Sequence, residues 1–198
     1  MAVEAKKEVE QIIKEKEPKA YFHAPSKYKM FPFRIKYDGL IDWGGLYKLI
    51  YEWFTQRGYY FEEGSIKHKI PTPMGAEDQF TFTGWRKTTQ YMQENIKLHV
   101  HFFEMREVEV IKEGQKKNLI KARMVLTFNG DVQTDYQERW SQTQLGQYLK
   151  SFYERYIIKK DLESVWWDRL YYVIYKLHNE IKLFLDMQAK ENAYYDIW

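Results

Sequence analysis

The chain reads as an α+β protein: N-terminal helices, an antiparallel β-meander of five or six strands, and two C-terminal helices. Three observations predict it. Apolar residues recur at spacings of three and four over 45–57 and again beyond residue 144, which is the helical period. Between Tyr59 and Tyr136 they recur at every second residue, which is the strand period. The two patterns are segregated along the chain instead of alternating, as in α+β and not in parallel βαβ proteins. With 198 residues, 44% of them hydrophobic, one core can be built. The expected organisation is an N-terminal helix and arm over 1–40 followed by a single domain over 41–198.

Residues 2–16 carry Val3, Val9, Ile12 and Ile13 on one side of a charged helix, which ends before Pro18. The segment 18–40 is rich in both aromatics and lysines, too aromatic for a disordered linker. It is expected to be an extended arm lying on the body or on a partner. Leu46, Leu49, Ile50, Trp53 and Phe54 give the clearest helix one apolar face, with Asp42 as its N-cap and Gly58 just past its end.

Strands are expected around Ile66–Ile70, Phe80–Phe82, Ile96–Phe103, Val108–Val110 and Met124–Phe128. Turns are expected at Glu113-Gly114 and at Asn129-Gly130, the latter a strong hairpin dipeptide. Helical spacing returns over 144–160 and, after Asp161, from about Leu162 to Ala189. The helix-then-meander order resembles the plan of cystatin-like rolls, which implies a fold and no activity. The segments YKLIYEWFTQRGYYFEE and TGWRKTT resemble conserved uncharacterised proteins of archaea, a resemblance that brings no assigned function with it.

Composition narrows the function classes. The chain has no cysteine, which removes disulfides, thiol nucleophiles and cysteine metal sites. No apolar run approaches the ~18 residues of a membrane span, so no integral insertion is expected. No signal peptide is evident at the N-terminus, and a cytoplasmic location is the expectation. The net charge of +3, from 31 basic and 28 acidic residues, is not the footprint of a bulk nucleic-acid binder, so any basic surface must be local. There is no phosphate loop, nucleophile elbow or kinase motif, hence no recognisable enzyme signature and no cofactor site.

The aromatics are in excess: 17 Tyr, 12 Phe and 7 Trp. Residues with an apolar body and a polar tip suit interfaces as well as cores. Trp167, Tyr171, Tyr175 and His178 form a second stripe on the long C-terminal helix. A row of Tyr148, Phe152 and Tyr156 on the preceding helix is expected to meet it, since consecutive helices usually pack together. With the tail residues Tyr194, Tyr195 and Trp198, this stripe is the candidate protein interface. The leading expectation is a non-enzymatic structural or assembly protein that forms a homo-oligomer or docks into a larger protein assembly.

Two other readings stand beside it. The arm residues Lys27, Lys29, Phe31, Arg34 and Lys36 combine cations with a stacking platform, as single-stranded RNA binding or a ribosome-associated role requires. Lys112, Lys116, Lys117, Lys121 and Arg123 add a second basic run. His99 and His101, two apart on a strand, point to one face and are the candidate metal pair of a metal-dependent enzyme. The acids Glu62, Glu63, Glu77 and Asp78 and the helical His178 read as turn and packing residues respectively.

Overall fold

A computed structural model describes residues 27–72, 75–112, 115–140 and 142–187. The helix expected over 2–16 and the tail with Tyr194, Tyr195 and Trp198 lie outside the described residues. The chain is mixed α and β, and its described residues form seven strands instead of five or six. The two extra strands come from the arm. β1 (Lys27–Lys29) and β2 (Phe33–Ile41) both pair antiparallel with β7 (Gln115–Thr134). An arm with alternating side chains and free backbone groups satisfies those groups by extending a sheet edge.

The remaining strands are β3 (Tyr60–Glu63), β4 (Lys67–Thr72), β5 (Gly75–Lys87) and β6 (Met92–Lys112). All pairings are antiparallel. β7, β6 and β5 form the middle of the sheet; β1 and β2 share one edge, and β3 and β4 share the other. The two segments expected as separate strands around Ile96–Phe103 and Val108–Val110 are one continuous strand. The break between them is a bulge, where the β6–β7 register shifts between Phe103 and Arg106 and Glu104 takes φ of 56°. Gly75 sits against that bulge with φ of 125°, and a Cβ there would lie 2.6 Å from the Glu104 carbonyl carbon. Only glycine fits both the backbone angle and the space.

Asn129-Gly130, expected as a hairpin turn, lies inside β7, with Asn129 opposite Lys97 and Gly130 opposite Ile96. The glycine is there for packing. A methyl group on it would overlap the Ile174 side chain, and one on Gly84 would overlap the Phe54 ring. These two glycines let helices approach the sheet closely.

α1 (Trp43–Gln56) is capped by the Asp42 side chain, which accepts from Gly45 N at 2.9 Å. It buries Leu46, Ile50, Trp53 and Phe54, as its spacing predicts. α2 (Gln144–Phe152) runs into a π-helical stretch, Tyr153–Ile157. A single turn, Lys159–Asp161, and a second π-helical stretch, Leu162–Trp167, then lead into α3 (Asp168–Phe184). The expected pair of C-terminal helices is therefore a broken helical run with wider turns inside it. No helix among the described residues is long and apolar enough to cross a membrane.

The core fills one side of the sheet. Ile96, Leu98, Val100 and Phe102 of β6 and Met124, Leu126 and Phe128 of β7 are fully buried there, under α1 and α3. Two carboxylates are buried on this face, Asp78 and Glu94. Glu94 is fully buried and accepts from the Tyr59 hydroxyl and from Arg86 Nη2, each at 2.7 Å. Arg86 also donates to the Arg57 carbonyl at 3.0 Å, and Arg169 of α3 stands 3.9 Å from the second Glu94 oxygen. One carboxylate thus ties the end of α1, two strands and α3 together.

Two stability outcomes follow. Trp53→Ala should cost about 3–5 kcal/mol, because it empties a buried aromatic site packed on Phe54 and Tyr59. Glu94→Leu should cost a comparable ~3–5 kcal/mol, because it strands the Arg86 cation without its partner. Chemical denaturation measures both, and an unchanged midpoint for either would show that its site is not the tie described.

Candidate functional site

The segment 144–157 is a helical run with its faces reversed. Its apolar positions are Leu145, Tyr148, Leu149, Phe152 and Tyr156, spaced by three, one, three and four residues on one stripe. That stripe points outward. Exposure along it, with the adjacent Ile157, runs from 50% at Leu149 to 73% at Tyr156. The buried positions on the other side are Lys150, Ser151 and Glu154. The row Tyr148, Phe152 and Tyr156 therefore does not meet the stripe on α3, contrary to expectation.

Polar partners inside explain the reversal. The Glu154 carboxylate accepts from the Tyr91 hydroxyl at 2.7 Å on one oxygen and from the Tyr28 hydroxyl at 3.1 Å on the other. Lys150 Nζ lies 4.0 Å from Asp135, both side chains being almost wholly buried. Asp135, held at φ of 49°, accepts from the backbone N–H groups of Arg139 and Trp140. Tyr153, on the same buried side, packs its ring on Tyr91 and Trp140, each at 5.7 Å. A buried charge is tolerable only when paired. Turning this face outward would take Lys150 from the buried Asp135 and Glu154 from two half-buried hydroxyls. The helix start is fixed by Thr143, whose hydroxyl accepts from Gly146 N at 3.1 Å.

The outward stripe is large for a single chain. At about 200 Å² per side chain, the six residues leave on the order of 700 Å² of apolar area in contact with water. The largest patch on a typical monomer is roughly 300–600 Å². A standard interface covers ~800 Å² per partner. The only exposed charge between Gln144 and Tyr156 is Arg155. Glu154 also lines a cleft of about 410 Å³ with Arg155, Tyr156 and Lys159, but both its oxygens already accept from tyrosines.

The stripe Trp167, Tyr171, Tyr175 and His178 is a ladder of near-parallel rings, with centroids 6.0, 6.5 and 5.9 Å apart. Phe33 of β2 packs against three of its members, 5.1 Å from Tyr171, 6.2 Å from Tyr175 and 5.9 Å from His178. Part of this stripe is thus used inside the molecule, by the arm, while Tyr175 keeps an exposed edge. Burial and the nearby Lys182 push the buried His178 below the usual histidine value.

The arm cations Lys27, Lys29, Arg34 and Lys36 line one edge of the sheet on the side away from the helices, and Phe31 stands exposed between β1 and β2. His99 and His101 lie on that same side, ring centroids 6.2 Å apart. His101 Nε2 is 2.7 Å from Glu77, and His99 contacts the Thr81 hydroxyl at 3.2 Å. Burial, then His101, lowers the His99 pKa. Glu77, bonded by Lys69 and His101, is held down at about 2. Among the described residues no group of three or more metal-ligating side chains is arranged to hold an ion. His68 pairs with Asp78, and Tyr47 bonds Glu63, so these acids have structural partners. Of the second basic run, Lys121 and Arg123 join the helix-free side of the sheet.

Compared with family models, curated proteins and solved structures, the chain matches none.

The residues that orient the site, Asp135, Lys150 and Glu154, are absent from the sequence reading. On a helix, polar residues opposite an apolar stripe read as the wet face, and nothing local marks them otherwise. Glu94 did carry a signal: it occupies the same strand face as Ile96, Leu98, Val100 and Phe102.

Burial, together with the Glu154 charge and hydrogen bond, raises the Tyr28 and Tyr91 pKa values well above ordinary tyrosine. The folded chain therefore holds these protons more tightly than the unfolded one. The stability they contribute is intact below about pH 10 and drains away as pH rises beyond it. A Tyr28→Phe, Tyr91→Phe variant should lose stability less steeply above about pH 10 than the parent. Urea denaturation across that range reads the slope, and equal slopes would show that neither phenol is held by Glu154.

Proposed function

We propose that the protein is a non-enzymatic assembly component that pairs with a second copy of itself through the outward stripe of 144–157. The observation that carries this is the reversed helix: an apolar face of interface size is turned to water because the polar face is committed inside. A second copy suits the surface for two reasons. In a two-fold pair the same patch meets itself, so a patch carrying strong charge of one sign would repel its image. This stripe is nearly uncharged, flanked by Gln144 and Gln147. Its area also matches what one partner of a stable pair contributes. Tyr148, Phe152 and Tyr156 supply aromatic anchors of the kind that concentrate interface energy.

Pairing should appear as a mass that rises with concentration from 24.3 kDa toward twice that value. Leu149→Ser with Phe152→Ser should hold the chain at the single-copy mass, each substitution weakening association by roughly 1–3 kcal/mol. Circular dichroism should be unchanged, since both side chains already face solvent. By contrast, Tyr171→Ala should lower stability without changing the mass, because it removes a ring packed on Phe33. Sedimentation of the parent as a single copy at high concentration would overturn the proposal.

A further inference from the structure

Among the described residues the helices pack on one side of the sheet. The contacts of Phe54 at Gly84, of Leu170 and Ile174 at Gly130, and of Tyr171 on Phe33 are all on the inner side. The outer side, among the described residues, carries no helix. Its middle rows are mostly hydrogen-bonding side chains. Asn95 stands opposite Asp131 and Trp85, His99 opposite Thr127 and Thr81, and His101 opposite Val125 and Gln79.

Cations border these rows on both edges. Lys29, Arg34 and Lys36 lie on the β1/β2 edge, Lys67 and Lys87 toward the β4 and β5 edge, and Lys97 in the centre. Six cations stand here against fewer free acids: Glu77 is engaged by Lys69 and His101 and Glu104 by Arg123, while Asp131, bonded by the neutral Asn95, keeps its charge opposite Lys29. Asp38 and Glu62 stand at the margins. A chain whose total charge is only +3 thus concentrates uncompensated positive charge on one flat surface.

Two aromatic groups sit on the same surface, each with a cation beside it. Trp85 packs on Tyr60 at 4.9 Å, and Lys87 lies 5.8 Å from the Trp85 ring. Phe103 packs on His101 at 3.8 Å under the Arg123 guanidinium at 5.0 Å. Asn95, opposite Trp85, and Phe103 are eight residues apart along β6, which is about 27 Å of strand. We propose that this outer sheet surface binds single-stranded nucleic acid, laid between the Trp85 and Phe103 groups, with phosphates on the bordering cations and bases over the Asn, Gln and His rows. Stacking on aromatic rings with backbone charge neutralised by lysine and arginine is the chemistry that holds single strands. Unpaired bases present edges that amides and imidazoles can bond by exchanging surface partners such as Asn95–Asp131 and His101–Glu77. A duplex offers no exposed base faces, and the described residues put no helix on this flat side to enter its grooves. An acidic polypeptide would use the cations alone and leave both aromatic groups idle.

Fluorescence anisotropy with labelled twelve-residue uridine RNA and thymidine DNA strands tests this in the full chain. Binding of either strand should weaken steeply as salt rises; which of the two binds more tightly identifies the natural class of strand. Lys36→Glu with Lys97→Glu, both exposed positions, should weaken binding by about tenfold or more and lower the salt slope by roughly 1.4. Trp85→Ala should weaken it by about tenfold while Trp85→Phe retains most of it; circular dichroism of each variant reports the fold. Four results would each overturn the proposal: no binding at low salt, a duplex or polyglutamate bound as tightly as the single strands, charge reversal without effect, or a folded Trp85→Ala variant binding like the parent.

Discussion

Glu154 accepts from Tyr28 on one oxygen and from Tyr91 on the other, and this pair of bonds orients everything around it. Tyr28 belongs to the first strand of the arm, Tyr91 precedes β6, and Glu154 lies in the first π-helical stretch. The carboxylate therefore joins three parts of the chain that are remote in sequence. It also chooses which side of 144–157 faces inward. The alternative, with Leu145, Tyr148, Leu149 and Phe152 buried, would gain apolar burial but leave paired charges and hydroxyls unmatched. An unmatched buried charge costs more than an exposed leucine.

The π-helical turns belong to the same compromise. An α-helix repeats every 3.6 residues, and wider turns shift the phase of everything beyond them. Glu154 falls in the first wide turn and Leu162, buried, begins the second. Beyond them α3 presents Leu170, Ile174, Leu177 and Ile181 inward as an ordinary amphipathic helix does. The run thus changes from a polar inner face to an apolar inner face between Lys150 and Leu170.

The sheet is asymmetric in the complementary way. Its inner side is mostly apolar, and the buried charge of Glu94 there is matched by Arg86 and Tyr59. Its outer side is largely polar, cationic at the edges and, among the described residues, carries no helix. The close approach of helices at Gly84 and Gly130 requires both inner positions to lack a side chain. The two surfaces proposed for function, the outward stripe and the open sheet side, thus both arise from elements that satisfy their neighbours with one face only.

Much of the architecture was legible in the sequence because it depends on local period. Alternation placed the buried residues of β6 and β7, spacing placed the face of α1, and the aromatic arm read as extended. What failed was chemistry that depends on distance. Asn129-Gly130 has the local form of a turn, but Ile174, 44 residues on, needs that glycine as a packing site. The bulge at Glu104 is invisible locally because Gly75, which accommodates it, lies on another strand. Local pattern is enough for the mixed class, the core faces and the surplus of aromatics. Long-range contacts settle which way 144–157 turns and that Phe33 takes up the Tyr171 ladder. Period reports that a helix has two unlike faces, but the partners of Glu154 and Lys150, brought from far along the chain, decide which face goes inside.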